Sequence, residues 1–133
     1  MAKHNQIGVE GELVASEFLE SKNLRILDRN WRKPYGEIDI VARETSGKYR
    51  FVEVKSVSWE TGKEIETRVS HETHNPEDNV HEAKQRRLKR VVQAYIDSKS
   101  IEDDWQFDVV AVFLDQANKK AMVRFTEDVI LEA

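Results

Sequence analysis

The chain has no cysteine, two prolines, five glycines and no long apolar run in its 133 residues. Without cysteine there are no disulfides, thiolate zinc centres or dithiol redox motifs, so any metal must be held by oxygen or imidazole. Scarce proline and glycine exclude collagen-like and low-complexity chains. No stretch approaches the roughly 20 apolar residues of a membrane span. The start, Met1-Ala2-Lys3-His4-Asn5-Gln6, also lacks a secretory apolar segment. A cytoplasmic protein with no membrane partner is expected. Positive charge is in short supply too: 21 Lys and Arg face 25 Asp and Glu, for a formal net charge of -4. That balance argues against indiscriminate coating of nucleic acid but allows a local basic patch.

Hydrophobic residues make up 39% and charged residues 35% of the chain. This composition suits one globular core, and the length predicts a single domain over 1–133. Ile7, Gly11, Val14, Ala15 and Phe18 recur at helical spacing, predicting a helix from about Asn5 to Lys22. Gly8 and Gly11 within it point either to a close approach or to a frayed start. Leu24 to Arg32 reads as a strand that ends before a turn at Pro34-Tyr35-Gly36. Glu37 to Arg43 and Tyr49 to Val57 read as a hairpin around Thr45-Ser46-Gly47, with Gly47 in the left-handed position.

From about 58 to 75 the chain is polar and aperiodic, a long loop containing Trp59, His71 and His74. Asn75-Pro76-Glu77-Asp78 is a helix start. The helix runs to about Ser98 with an apolar stripe of Val80, Leu88, Val91, Val92, Tyr95 and Ile96. Phe107 to Leu114 and Ala121 to Phe125 then form a second hairpin. Trp31 and Trp105 sit beside strands and are expected in the core. The expected fold class is α/β, a central mixed sheet of about five strands flanked by helices.

Two runs carry the chemistry: Gly36-Glu37-Ile38-Asp39-Ile40 and Phe51-Val52-Glu53-Val54-Lys55. Each puts carboxylates into an apparently buried strand, where an unpaired charge costs several kcal/mol. Strand alternation places Glu37, Asp39 and Val41 on one face and Ile38, Ile40 and Ala42 on the other, with Phe51, Glu53 and Lys55 sharing a face of the next strand. With a three-residue loop, paired residues sum to 92, so Asp39 falls opposite Glu53 and Glu37 opposite Lys55. Two carboxylates within about 5 Å form a seat for a hard cation such as Mg²⁺ or Mn²⁺. The same spacing equally allows a salt-bridge ladder of Glu37 with Lys55, and Asp39 with Arg50 or Arg43. His71 and His74 lack a defined third zinc ligand.

These motifs, with Gly11-Glu12-x-x-Ala15 in the first helix, resemble the uncharacterised bacterial YraN family over nearly the whole chain. Its fold is similar to that of restriction endonucleases of the PD-(D/E)xK class and of Holliday-junction resolvases. The resemblance implies Asp39, Glu53, the Val54 backbone carbonyl and Glu12 as metal ligands, with Lys55 as the water-orienting base or charge stabiliser. It also implies phosphate contacts by Lys84 and Arg87, in a run resembling the family's at Lys84-Gln85-Arg86-Arg87-Leu88. Arg86, Lys89 and Arg90 read as a solvated face, and Asp108 as a cap or salt-bridge partner. The expected function is Mg²⁺- or Mn²⁺-dependent endonucleolytic hydrolysis of DNA rather than RNA, on branched or structured substrate, by a protein able to form a homodimer. The alternative is a non-catalytic nucleic-acid-binding or adaptor module of the same fold.

Overall fold

Among the described residues, apolar periodicity resolves into two helices and five strands in the order expected. The computed structural model describes residues 3–59 and 82–131. Helix α1 (Lys3–Ser21) precedes β1 (Arg25–Lys33), β2 (Gly36–Arg43) and β3 (Tyr49–Trp59), and α2 (Glu82–Lys99) precedes β4 (Trp105–Asp115) and β5 (Lys120–Thr126). The strands form one sheet in sequence order, antiparallel throughout except for the parallel β3–β4 pair. A parallel pair needs a crossover, which includes α2. The fold is therefore α/β, with a mixed five-stranded sheet between two helices.

Helix α1 covers one face through Ala15 and Leu19, which pack on Ile40, Ala42, Val52, Val110 and Val112. Helix α2 covers the other through Leu88, Val91, Val92 and Tyr95, against Ile38, Val41, Phe51, Phe107 and Val109. Strand β4 is covered on both sides and buried from Gln106 to Asp115, matching its unbroken apolar run. Trp31 packs at the margin of the α2-side core, as expected. Trp105 is 42% exposed, touching Phe51 edge-on, because it opens β4 at the rim of the sheet.

Both helices end on a residue in the left-handed region, Asn23 (φ 64°) and Ser100 (φ 52°). The chain turns back by bonds from Leu24 N–H to the Leu19 carbonyl and from Ile101 N–H to the Ile96 carbonyl. Gly11 is where α1 meets the sheet most closely. A Cβ there would stand 1.8 Å from Ser56 Oγ, whereas one on Gly8 would meet nothing within 4 Å. Close approach thus explains Gly11 but not Gly8.

The β2–β3 hairpin has the expected register, pairing Ile40 with Val52 through Arg43 with Tyr49. Glu44 N–H bonds the Lys48 carbonyl, leaving the three-residue loop Thr45–Gly47 with Gly47 at φ 102°. The face assignment in β2 is corrected by the structure. Ile38 belongs to the α2-side core and Ile40 to the α1-side core, so alternation breaks at Asp39. Asn30 occupies the corresponding place in β1, between the pairs Arg29–Ile40 and Trp31–Ile38, and has φ 51°. A left-handed residue inside the strand turns the outer part of the β1–β2 pair over by one face, and asparagine tolerates that conformation better than most residues.

Ser58 and Trp59, at the expected start of the long polar loop, instead continue β3 beside Leu114 and Asp115. The remainder of that loop, with His71 and His74, lies outside the described residues, as do the Asn75 helix start, Val80 and His81.

Candidate metal centre

The site forms where β2 and β3 part. Their ladder ends at Ile40–Val52, one step before the pair that register alone would make of Asp39 and Glu53. There the Val54 amide donates to Asp39 Oδ2 at 2.7 Å, so a side chain takes the place of the ladder's next backbone acceptor. The two carboxyl groups still meet, within hydrogen-bonding contact of each other. Burial first, and the Glu53 charge second, push Asp39 from its ordinary 3.8 up to about 8.

Val54 sits on the α1 face, packed against that core, which sends Glu53 and Lys55 to the α2 face. Glu53 is buried, and its Oε1 lies 3.3 Å from Lys84 Nζ and 3.7 Å from Lys55 Nζ. Lys84 comes from the first turn of α2 as described, so this ion pair ties the helix to β3. Burial, followed by the neighbouring Lys84 ammonium, holds Lys55 below its usual value, while Glu53 and Asp39 oppose that shift. Lys55 is thus poised to exchange a proton more readily than a free lysine.

Glu12 approaches from α1 on the opposite face. Its carboxyl is raised by burial, opposed by a hydrogen bond with Asn30, and raised further by Glu37. It also acts electrostatically on Asp39. An open cleft of about 520 Å³ lies beside it, lined by Val9, Leu13, Arg29, Asn30 and Arg32. Asn30 is the site residue that sequence reasoning missed; the available signal was an asparagine inside a strand, where that residue is uncommon.

The alternative salt-bridge ladder does not form. Glu37 pairs with Arg32 at 3.1 Å and Arg43 with Asp103 at 2.9 Å. Arg50 pairs with Glu44, Asp108 and Glu127. Asp108 is fully buried and also accepts from Gln106 Nε2 and the Asp128 amide, so it is a structural anchor as expected. The Arg87 side chain is exposed on α2, away from the paired carboxyls in burial though only one turn from Lys84.

These residues fit a hard divalent cation. Asp39 and Glu53 present oxygen alone, and the proton held by the buried Asp39 carboxyl is what a cation would displace. Among the described residues no three carboxylate or imidazole groups converge into a complete cage. A Mg²⁺ site does not need one, because two carboxylates with water and substrate phosphate suffice. The Val54 carbonyl lies on the same strand edge as its amide and so faces the same gap.

Comparison with known proteins places this arrangement in a lineage. The profile described as "Uncharacterised protein family UPF0102" matches residues 11–112, spanning α1 to β4. A UPF0102 protein of Chlorobium chlorochromatii (strain CaD3) is 34% identical over 128 residues, covering 96% of this chain and 90% of the relative. One of Alkaliphilus oremlandii (strain OhILAs) is 40% identical over 114 residues, covering 84% and 87%. One of Moorella thermoacetica (strain ATCC 39073 / JCM 9320) is 37% identical over 117 residues, covering 87% and 88%.

Proposed function

The chain belongs to the uncharacterised protein family UPF0102, and from its site we propose that it is a Mg²⁺- or Mn²⁺-dependent endonuclease acting on DNA. Membership bears out the YraN resemblance read from the motifs. The single observation that carries the activity is the Asp39–Glu53 carboxyl pair, held at the opened end of a ladder with two lysines beside it.

Asp39 and Glu53 would hold the cation, with the Val54 carbonyl and Glu12 able to reach the same gap from strand and helix. When bound, it would polarise a phosphoryl oxygen and acidify a water. The protein's own residues do the rest. The Val54 amide fixes one Asp39 oxygen, orienting the other. Lys55, on the α2 face, takes the proton of the attacking water or steadies charge growing on phosphate, and its lowered proton affinity suits the first role. Lys84 neutralises Glu53 and, with Arg87, holds the adjoining phosphate. Branched or otherwise structured DNA is the substrate class.

Incubation of the full chain with junction and flap DNA in Mn²⁺ tests this. Cleavage is expected, and its loss in Glu53→Ala and Lys55→Ala with unchanged circular dichroism. One observation favours a second reading, a non-catalytic nucleic-acid adaptor: the Glu53 carboxylate is paired with the ammonium groups of both Lys84 and Lys55. DNA binding that survives both substitutions, with no cleavage by the parent in any divalent ion, would establish the adaptor instead.

A further inference from the structure

The chain carries a net charge of -4, yet Lys84, Arg86, Arg87, Lys89 and Arg90 put five cations into seven consecutive residues. All belong to α2, and all but Lys84 are exposed. Sequence alone reads Arg86, Lys89 and Arg90 as a solvated face. The structure gives that face a direction. Lys84 touches Glu53, and Arg87 and Arg90 follow at steps of three, each about 60° further round, so the row winds from the sheet side of the helix out to its solvent face. Six residues of helix span about 9 Å. The far end is fixed: the Arg90 guanidinium lies 3.9 Å from the Tyr35 ring centroid, a stacking contact with the β1–β2 turn.

Next to Tyr35, a Cβ on Gly36 would sit 3.4 Å from the Arg87 carbonyl, so helix and turn are in direct contact. Together they wall an open groove of about 710 Å³ lined by Tyr35, Arg86, Lys89, Arg90 and Gln93, with one carboxylate, Asp97, which accepts a hydrogen bond from Gln93. Arg86 keeps an i,i+4 pair with Glu82, which is 76% exposed and easily outcompeted by phosphate. Arg90 is held flat by an aromatic ring, and among the described residues no carboxylate pairs with it, so its charge is positioned without being neutralised there.

We infer that the α2 face from Arg86 to Arg90, closed by Tyr35, is the seat for a duplex arm of the nucleic acid, gripping phosphates of an arm that leads round the helix away from the site at Glu53. This rests on the proposed nuclease reading for its location but not for its measurement. A duplex fits because it offers a regular row of phosphates to a rigid row of cations and asks for no base contact. A concentrated cation row on an acidic protein also orients an approaching polyanion, since the rest of the surface repels it.

The test is fluorescence anisotropy of the full chain with a labelled duplex-armed flap DNA, in EDTA, over a series of KCl concentrations. Each phosphate contact contributes about 0.9 to the slope of log affinity against log salt. The variant Arg86→Gln/Lys89→Gln/Arg90→Gln should lower that slope by about 2 to 3, with affinity at low salt reduced on the order of tenfold or more. Lys119→Gln/Lys120→Gln, at the β4–β5 turn, should leave it unchanged. Tyr35→Phe should retain the parent slope and Tyr35→Ala should lose part of it. Matching melting curves confirm that each variant is folded.

An unchanged slope in the triple variant overturns the inference, as does a parent that does not bind DNA. An equal loss toward polyglutamate and DNA also overturns it, in favour of an acidic protein partner. The two readings fail separately. Cleavage with no effect of the α2 substitutions removes only the docking face, whereas α2-dependent binding without cleavage in any divalent ion removes only the nuclease.

Discussion

Asp39 Oδ2 accepts the Val54 amide proton at 2.7 Å, and by doing so it marks the point where β2 stops pairing with β3. A strand edge that would otherwise be zipped shut is held open by one carboxylate. Asp39 therefore has two jobs, terminating a ladder and offering its remaining oxygen to the gap.

The first job has a pH signature. Burial and then Glu53 raise the Asp39 carboxyl from 3.8 to about 8, so between those values the folded protein keeps a proton that the unfolded chain releases. Its contribution to stability is complete below about pH 4 and lost as pH rises through about 8. In EDTA the thermal midpoint should fall across that window, and Asp39→Asn, which stays neutral and can still accept from Val54, should flatten the fall. Mn²⁺ added at about pH 8 should raise the parent's midpoint, because a ligand bound to the folded state alone stabilises it. Superimposable pH profiles for parent and Asp39→Asn would exclude this account.

Much of this was legible in the chain and some was not, for identifiable reasons. The hairpin register followed from Gly47, since a three-residue loop with a left-handed third position fixes which residues face each other. The grouping of Phe51, Glu53 and Lys55 followed from alternation in an unbroken strand. Alternation failed one strand earlier because it assumes regular backbone, and Asn30 departs from that at φ 51°. Lys84 lies four residues after Val80 and four before Leu88, on the apolar line of its helix, which signals partial burial but not its partner. The pairing with Glu53 depends on how α2 crosses the sheet, and only the tertiary packing sets that.

Lys55 and Lys84 look alike beside Glu53, but they should separate on substitution. Lys55→Met should lower cleavage by about 10²-fold or more, the scale of a lost proton-transfer group. Lys84→Met should act more on substrate affinity, raising KM. Both proteins should keep the parent's circular dichroism, since Glu53 retains one ammonium in each. Steady-state cleavage of a flap substrate separates kcat from KM, and identical effects on both parameters for the two variants would merge their roles.

The two glycines of α1 should respond oppositely to alanine. Gly11→Ala drives a methyl into Ser56 and should cost about 1 to 3 kcal/mol through overpacking. Gly8→Ala meets open space and should stabilise by about 0.5 to 1 kcal/mol from helix propensity alone. Urea denaturation checks both. Adding Ser56→Gly to Gly11→Ala should restore part of the loss, a non-additivity expected only of residues in contact.

Arg50 holds the far end of the sheet together, and its removal should be the most damaging single change outside the core. Its guanidinium bonds Asp108 at 2.8 Å, Glu44 at 2.6 Å and Glu127 at 2.9 Å, linking β3 to β4 and to the segment after β5. Asp108 is fully buried, so Arg50→Met strands a charge that, among the described residues, only Gln106 and the Asp128 amide face. Breaking such a pair from one side costs about 3 to 5 kcal/mol, most of it the penalty of the abandoned charge. Arg50→Met/Asp108→Asn should therefore be more stable than Arg50→Met alone. Because the network lies apart from Asp39 and Glu53, whatever Mn²⁺ affinity the folded parent has should be retained per folded molecule. Urea curves with calorimetric Mn²⁺ titration measure the two effects separately, and a double variant no more stable than the single one would show that the buried charge is not what the arginine is there to balance.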